Sequence, residues 1–329
     1  MAHFMKNEEV MISVVMLTYQ HENFVEDAIA GVLMQVVDCN VELIIADDGS
    51  TDRTNGVISG IIEEYSGPII IRYFRQNNNV GAKANGLLAL SKIRGSFIAL
   101  CEGDDYWTNV DKLQMQYDYL ISNKDMSFVF TPFEIFNDSS KRITGIRNRV
   151  GKDFDSKKYT LSYVLRLGGG FYPTGSAFFR SSILDENTEK YIELAAAGDF
   201  VIAILASLAG KIGYIDVVTG VYRIQYNSIS NKQYDKCEDC LHAAESKHED
   251  NNRFYHYLFS KIDVDKGTKD VLLKKEYYTF LSKALDCGIG LGLLKRISPR
   301  KLGYYFTLRI LAKCCAIMTY KTGLSRIRR

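Results

Sequence analysis

Three acidic residues, Glu102, Asp104 and Asp105, fall within four positions at the end of an apolar run, in the stretch SFIALCEGDDYW. A strand that ends in clustered negative charge is costly to fold unless something offsets the repulsion. Carboxylate oxygens at this density suit Mg2+ or Mn2+, which keep several waters and bind one or two protein carboxylates plus substrate phosphates. Acidic segments with a glycine are also ordinary turn formers, and the stretch alone allows either reading. Asp47 and Asp48 form a second acidic pair, in ADDGST. A turn and a helix cap at Ser50 or Thr51 would account for that pair equally well. Asp199, in AAAGDFVIAIL, is a lone carboxylate before an apolar run. It can be read as a general base or as the N-cap of a buried helix.

The surrounding elements decide where these residues would stand. Residues 12–17 (ISVVML), 41–46 (VELIIA), 69–74 (IIIRYF) and 96–101 read as short buried strands. Helical spacing is expected over 21–36, 52–65, 81–93 and 112–123, with a further strand at 126–130. Strands alternating with helices imply an α/β fold with a parallel, doubly wound sheet. In such a sheet, ligands bind outside the carboxyl ends of the strands. The Tyr19-Gln20-His21-Glu22 loop, the Asp47-Asp48 pair and the 102–105 cluster all fall at those ends.

From about 108 to 180 the pattern loosens. Residues 167–180 read as a Gly-rich loop running into an apolar segment, 200–208 as a buried helix and 211–223 as a strand or hairpin. Beyond about 230 glycine thins out, and 235–329 reads as mostly helical.

The bulk properties exclude several classes. At 329 residues, 47% hydrophobic and 24% charged, the chain is an ordinary globular one. A net charge of +2 gives no global field towards nucleic acid. Seven scattered cysteines, an odd number, fit a reduced, cytoplasmic setting better than a disulfide framework. Cys237 and Cys240, with His242 and His248 nearby, invite a zinc reading, but the spacing fits no common structural site and a helix face explains it too. The first ten residues carry no apolar core of a signal peptide, and no apolar run is long enough to require a membrane span. The late stretch KLGYYFTLRILAKCCAIMTYK reads as a basic amphipathic helix. Such a helix either lies in a membrane interface or packs against a domain with a polar back.

Taken together, residues 11–225 resemble the family 2 inverting glycosyltransferases of GT-A fold, of the bacterial polysaccharide-biosynthesis type. The resemblance rests on ISVVMLTYQHENFVEDAIAGVLMQ, VELIIADDGSTDRT and NNNVGAKANGLLALSKIRGSFIALCEGDDYW, in that order. It implies a Rossmann-like, mixed but mostly parallel sheet flanked by helices. Residues 1–230 would form the nucleotide-sugar-binding and catalytic domain, and 231–329 a helical region for acceptor, membrane or dimer contact.

The resemblance also implies roles. Leu17 and Tyr19 would sit at the nucleotide base, Glu22 near the uridine, and Asp48 would accept a hydrogen bond from the base. Lys83 and Asn85 would line the donor side. Glu102 would approach the ribose, Asp104 would hold a divalent cation (Mn2+ or Mg2+) on the diphosphate, and Asp105 would support the site. Asp199 would be the general base, and Arg223 would reach phosphate. Tyr172-Pro173-Thr174-Gly175-Ser176 would sit by the acceptor. Two positions depart from the family pattern: Glu102 stands in place of an aspartate, and Gln225 stands where a histidine is often found. The donor implied is a nucleoside-diphosphate sugar, most simply UDP-linked. The acceptor implied is a glycan or lipid-linked sugar, with the protein cytoplasmic, peripheral on the inner membrane face through 300–329, or a homodimer.

A metal-dependent sugar-phosphate nucleotidyltransferase is the competing enzyme. It would carry a Gly-rich basic loop after its first strand, whereas TYQHEN holds no Gly, Lys or Arg. A phospho-acceptor receiver module would use Asp47 and Asp48 but leave the 102–105 cluster and Asp199 without a role.

Overall fold

The computed structural model of the chain describes residues 10–168, 170–225 and 237–286. They fall into two compact units, 10–193 with 197–225, and 194–196 with 237–286.

The first unit opens with β1 (Ile12–Thr18), α1 (Val25–Leu33), β2 (Val41–Asp47), α2 (Thr54–Glu64), β3 (Ile70–Arg75), α3 (Ala82–Leu90) and β4 (Phe97–Glu102). There follow β5 (Tyr106–Trp107), α4 (Lys112–Ser122), β6 (Met126–Phe130), β7 (Phe133–Asn137) and β8 (Arg142–Arg147). The unit continues with α5 (Leu161–Leu167), β9 (Phe178–Arg180), α6 (Thr188–Leu194), α7 (Gly198–Ala209), β10 (Lys211–Tyr214) and β11 (Gly220–Ile224).

Seven strands form the main sheet in the order β10-β6-β9-β4-β1-β2-β3. The pairs β1–β2, β1–β4 and β2–β3 are parallel. The apolar runs explain this half: every residue of β2 is buried, as expected where helices cover both faces. Ile12, Val14 and Met16 of β1 join Val25, Ile29 and Val32 of α1 in one core. The sheet is mixed because β9 runs antiparallel to both β4 and β6. A second sheet, β5-β11-β7-β8, pairs β11 with β7 in parallel and β7 with β8 as an antiparallel ladder.

The expected strand or hairpin over 211–223 is two strands in different sheets. β10 pairs with β6 and β11 with β7 and β5. The expected cap of α2 is also corrected. Ser50 Oγ is taken by Asp47 Oδ1 (2.5 Å) and by the Gln20 N–H (3.0 Å), and Thr51 Oγ1 by Gln20 Nε2 (2.8 Å). The Thr54 N–H is met by Asp52 Oδ1 at 3.0 Å instead.

In the second unit, α8 (Cys237–Lys261) and α9 (Lys266–Asp286) pack together as a helical pair. Phe254, Leu258, Leu272 and Leu281 are among its buried positions. Asp265 Oδ1 accepts the Thr268 N–H at 2.8 Å and so caps α9. No helix among the described residues is long and apolar enough to cross a membrane. The amphipathic stretch in 300–329 and the side chains of Cys237 and Cys240 lie outside the described residues.

Candidate active site

The carboxyl ends of β1, β2 and β4 lie side by side, with Leu17 in register with both Ala46 and Glu102. The three loops noted in the sequence therefore meet at one sheet edge. Gly103 makes the meeting fit. Its N–H donates to the Leu17 carbonyl at 2.9 Å, and a Cβ there would stand 2.8 Å from Thr18 Oγ1 and 2.9 Å from His21 Nδ1. The acidic loop crosses the end of β1 only because residue 103 has no side chain. Burial holds the His21 imidazole below its usual range, against the pull of Asp104, Asp52 and Asp47.

Asp105 is 1% exposed. Its Oδ1 accepts the backbone N–H of Arg223 at 2.9 Å, while its Oδ2 is buried without a partner. Burial, then the charges of Glu102 and Asp104, raise its carboxyl well above the ordinary range. Asp104 is half-buried, and its Oδ2 accepts from Gln225 Nε2 at 3.1 Å. Glu102 is pushed up to about 8 by burial and by the charges of Asp104 and Asp199, against Arg147 and a hydrogen bond from Thr174. Asp199 feels the same burial, which raises its carboxyl although the Phe200 N–H (2.7 Å) and Arg147 favour the charged form.

Asp199 lies in the first turn of α7, one residue after its start, and Ala197 is the residue at the cap. The Tyr172 hydroxyl donates to the Asp199 carbonyl at 2.7 Å, tying the 172–176 loop to α7. Trp107 Nε1 donates to the Gly175 carbonyl at 2.8 Å, and Gln116 Nε2 to the Ser176 carbonyl at 2.8 Å. Lys112, fully buried, puts its Nζ 2.6 Å from Gln116 Oε1 and 4.0 Å from the centre of the Trp107 ring.

The structure thus brings Glu102, Asp104, Asp105 and Asp199 into one electrostatic field. Other expected site residues are occupied within the fold. Both oxygens of Asp48 accept backbone N–H groups, from Val80 (2.7 Å) and Gly81 (3.0 Å), fastening the loop before α3. Glu22 Oε2 accepts from the Arg53 N–H (2.9 Å) and Nε (3.2 Å). Asn85 Nδ2 donates to the Ala46 carbonyl at 2.8 Å, leaving its Oδ1 buried and unpaired. Lys83 Nζ donates to the Glu193 carbonyl at 3.1 Å. Tyr19 is 37% exposed at the sheet edge, and Leu17 is half-buried beside Gly86. The Arg223 guanidinium pairs with Asp27 and the Asp104 carbonyl, between the rings of Phe24 and Tyr106.

Sequence reasoning missed Arg147, the last residue of β8, whose charge acts on both Glu102 and Asp199. It sits in the stretch where periodicity loosens and belongs to no motif, so no local signal marked it.

A divalent cation can be tested against these side chains. Asp105 holds an orphaned buried oxygen, Asp104 is only partly hydrogen-bonded, and three carboxyls repel one another. A hard cation fits such a donor set. No group of three metal-ligating side chains is assembled among the described residues, so a bound ion would have to take its remaining ligands from water and phosphate.

The model of "Glycosyl transferase family 2" matches residues 13–188. Uncharacterized protein Rv1520 of Mycobacterium tuberculosis is 30% identical over 227 residues, 68% of this chain and 61% of the relative. The chain therefore spans about three fifths of that relative's length. The UDP-Glc:alpha-D-GlcNAc-diphosphoundecaprenol beta-1,3-glucosyltransferase WfgD of Escherichia coli is 28% identical over 159 residues, 48% of this chain and 56% of WfgD. Among solved structures, residues 1–349 of S. aureus TarS with UDP-GlcNAc superpose with a TM-score of 0.57 at 18% identity, covering 83% of this chain and 73% of that one. Mannosyltransferase PcManGT of Pyrobaculum calidifontis, with GDP-Man and Mn2+, gives 0.56 at 14% identity, covering 96% and 82%. At these identities the two structures speak for the fold alone. The family match covers more than half of the chain, and it coincides with the sheet edge where the acidic loops converge: the chain belongs to glycosyl transferase family 2.

Proposed function

We propose that the protein transfers a sugar from a nucleoside-diphosphate sugar, UDP-linked in the first instance, to a hydroxyl of a glycan or lipid-linked acceptor, with inversion. The observation that carries this is that Glu102 and Asp199, two carboxyls on different elements, lie in one field: the charge of Asp199 raises the Glu102 carboxyl, and Arg147 acts on both. A relative supports the substrate classes: WfgD is named for a UDP-glucose donor and a lipid-diphosphate acceptor.

In this reading Asp199 takes the proton of the acceptor hydroxyl as its oxygen bonds to the anomeric carbon. The bond to the diphosphate breaks on the opposite face, and the nucleoside diphosphate leaves with the electron pair. Burial lifts Asp199 towards the operating pH, which makes it a better proton acceptor than an exposed carboxylate. Asp104 would hold the divalent cation, with Asp105 behind it, and the ion would supply charge neutralisation at the departing diphosphate. Glu102 would approach the donor ribose, within the field of Asp199. Tyr172 fixes the backbone of the base through the Asp199 carbonyl.

The test is incubation with Mn2+ and single nucleotide sugars, followed by assay for nucleoside diphosphate. Slow release is expected from one or a few donors, and Asp199→Asn should keep donor binding while losing transfer. Full transfer by Asp199→Asn would remove the base from the scheme. Pyrophosphate formed from a sugar phosphate and a nucleoside triphosphate would replace it with nucleotidyl transfer.

A further inference from the structure

Arg147, at the end of β8, is built into place. Its guanidinium stacks on Tyr222, 4.2 Å from the ring centre. Its Nε donates to Asn148 Oδ1 at 3.2 Å. Asn148 has a left-handed backbone (φ 59°), and its Nδ2 donates to the Gly170 carbonyl at 3.1 Å. A ring face and a strained neighbour thus fix the plane of the guanidinium. The two terminal nitrogens make no hydrogen bond to the described residues. Arg147 acts on both Glu102 and Asp199 through its charge, yet forms an ion pair with neither. The cation beside Asp104 and Asp105 is a different one, Arg223, whose terminal nitrogens are already engaged. Arg147 therefore faces the base side of the site with its paired donors unspent.

The segment around it has a matching bias. Residues 141–168 contain eight Lys or Arg against two acidic residues, in a chain whose net charge is only +2. Two of the eight, Lys141 and Arg149, are paired with Asp138 and Asp216. Arg142, Lys157 and Lys158, all exposed and without an ion pair among the described residues, leave the segment a net basic rim. A neutral acceptor needs no such rim. An acceptor phosphate approaching Asp199 would be repelled by it, and a preset guanidinium fork removes that repulsion by bidentate hydrogen bonding.

We propose that Arg147 recognises the acceptor, and that the acceptor carries a phosphate close to the hydroxyl it presents to Asp199. This rests on the nucleotide-sugar reading above. The phosphate belongs either to a lipid diphosphate headgroup or to a phosphate within a glycan chain.

The test titrates three probes into the full chain, both free and saturated with UDP and Mg2+. They are phenyl phosphate, N-acetylglucosamine on a short prenyl diphosphate, and phenyl N-acetylglucosaminide as the neutral control. At least one anionic probe should bind the wild type more tightly than the neutral control. Arg147→Gln should weaken that binding tenfold or more, Arg147→Lys should restore it only in part, and UDP affinity should stay within twofold throughout. Asn148→Gly keeps the left-handed backbone and removes the clamp on Nε, so it should give an intermediate loss in a chain that folds normally. Binding of both anionic probes points to a phosphate in general, and binding of the prenyl diphosphate alone points to a lipid headgroup. The proposal is overturned if neither anionic probe binds, if Arg147→Gln binds them as the wild type does, or if Arg147→Gln loses UDP instead. A wild type that fails to bind UDP would count against the nucleotide-sugar reading, while titrations of the free protein still report on Arg147.

Discussion

The backbone N–H of Arg223 donates to Asp105 Oδ1 across 118 residues of sequence, and its side chain reaches on to the Asp104 carbonyl. One residue of β11 therefore holds two successive residues of the acidic loop. At 8% exposure, between Phe24 and Tyr106, its charge is compensated mainly by Asp27. Arg223→Met keeps the backbone bond and removes the rest. It should cost about 2–3 kcal/mol of stability by urea denaturation. It should also weaken divalent-cation binding, because Asp104 loses its backbone anchor. Asp27→Asn should cost less, since Asp27 is largely exposed.

Gly103→Ala places a methyl group against Thr18 and His21 with no room for it. Overpacking of this kind costs about 1–3 kcal/mol. The expected result is a lower melting temperature together with weaker Mn2+-dependent UDP binding, because the loop that must lift is the one carrying Asp104. Gly56→Ala, on α2 with open space around it, is the control: it should leave UDP binding unchanged and, by improving helix propensity, raise the melting temperature slightly.

Burial holds the Lys112 amine down to about 7, from 10.5. Between those values the unfolded chain binds a proton that the folded chain does not, so the Lys112 contribution to stability rises with pH across that window. Below about 7 both states are protonated and the burial cost is felt in full. Denaturation of wild type and Lys112→Met at pH 7, 8 and 9 should show a stability difference that moves in favour of the wild type as pH rises. A difference independent of pH would mean that Lys112 is not buried as described.

A divalent cation should stabilise the chain by relieving the repulsion among Glu102, Asp104 and Asp105. Melts in EDTA, Mg2+ or Mn2+, each with and without UDP, should show the largest rise with Mn2+ and UDP together. At a hundredfold excess over Kd the gain is about 2.7 kcal/mol. Asp104→Asn should abolish the increment due to metal and retain the one due to UDP alone.

The parallel half of the sheet was legible in the sequence because strands covered on both faces are continuous apolar runs, as in residues 41–46. The convergence of the 102–105 cluster with the end of β1 followed from that topology. What was not legible depends on distant pairing. The β9 strand is only three residues, FFR, and its neighbours β4 and β6 define it. The β7–β8 ladder is half-exposed, so its alternation is blurred. Ser50 and Thr51 looked like caps because their competing partner, Gln20, lies thirty residues earlier. Arg223 looked free to reach a ligand because nothing local announces Asp27 as its partner.

The antiparallel β9 has a consequence for how the chain reaches this state. It is the wedge between β4 and β6, and it comes from residues 178–180, after both neighbours. Until it emerges from the ribosome, the finished block from β1 to β4 presents β4 as a raw, apolar edge, open to the wrong partner. Closing the sheet is thus a late, long-range event, and the same event delivers the 172–176 loop to Trp107 and Asp199. A nascent chain stopped before residue 178 should be sticky and inert, and one carried past β11 should be neither sticky nor without a formed site.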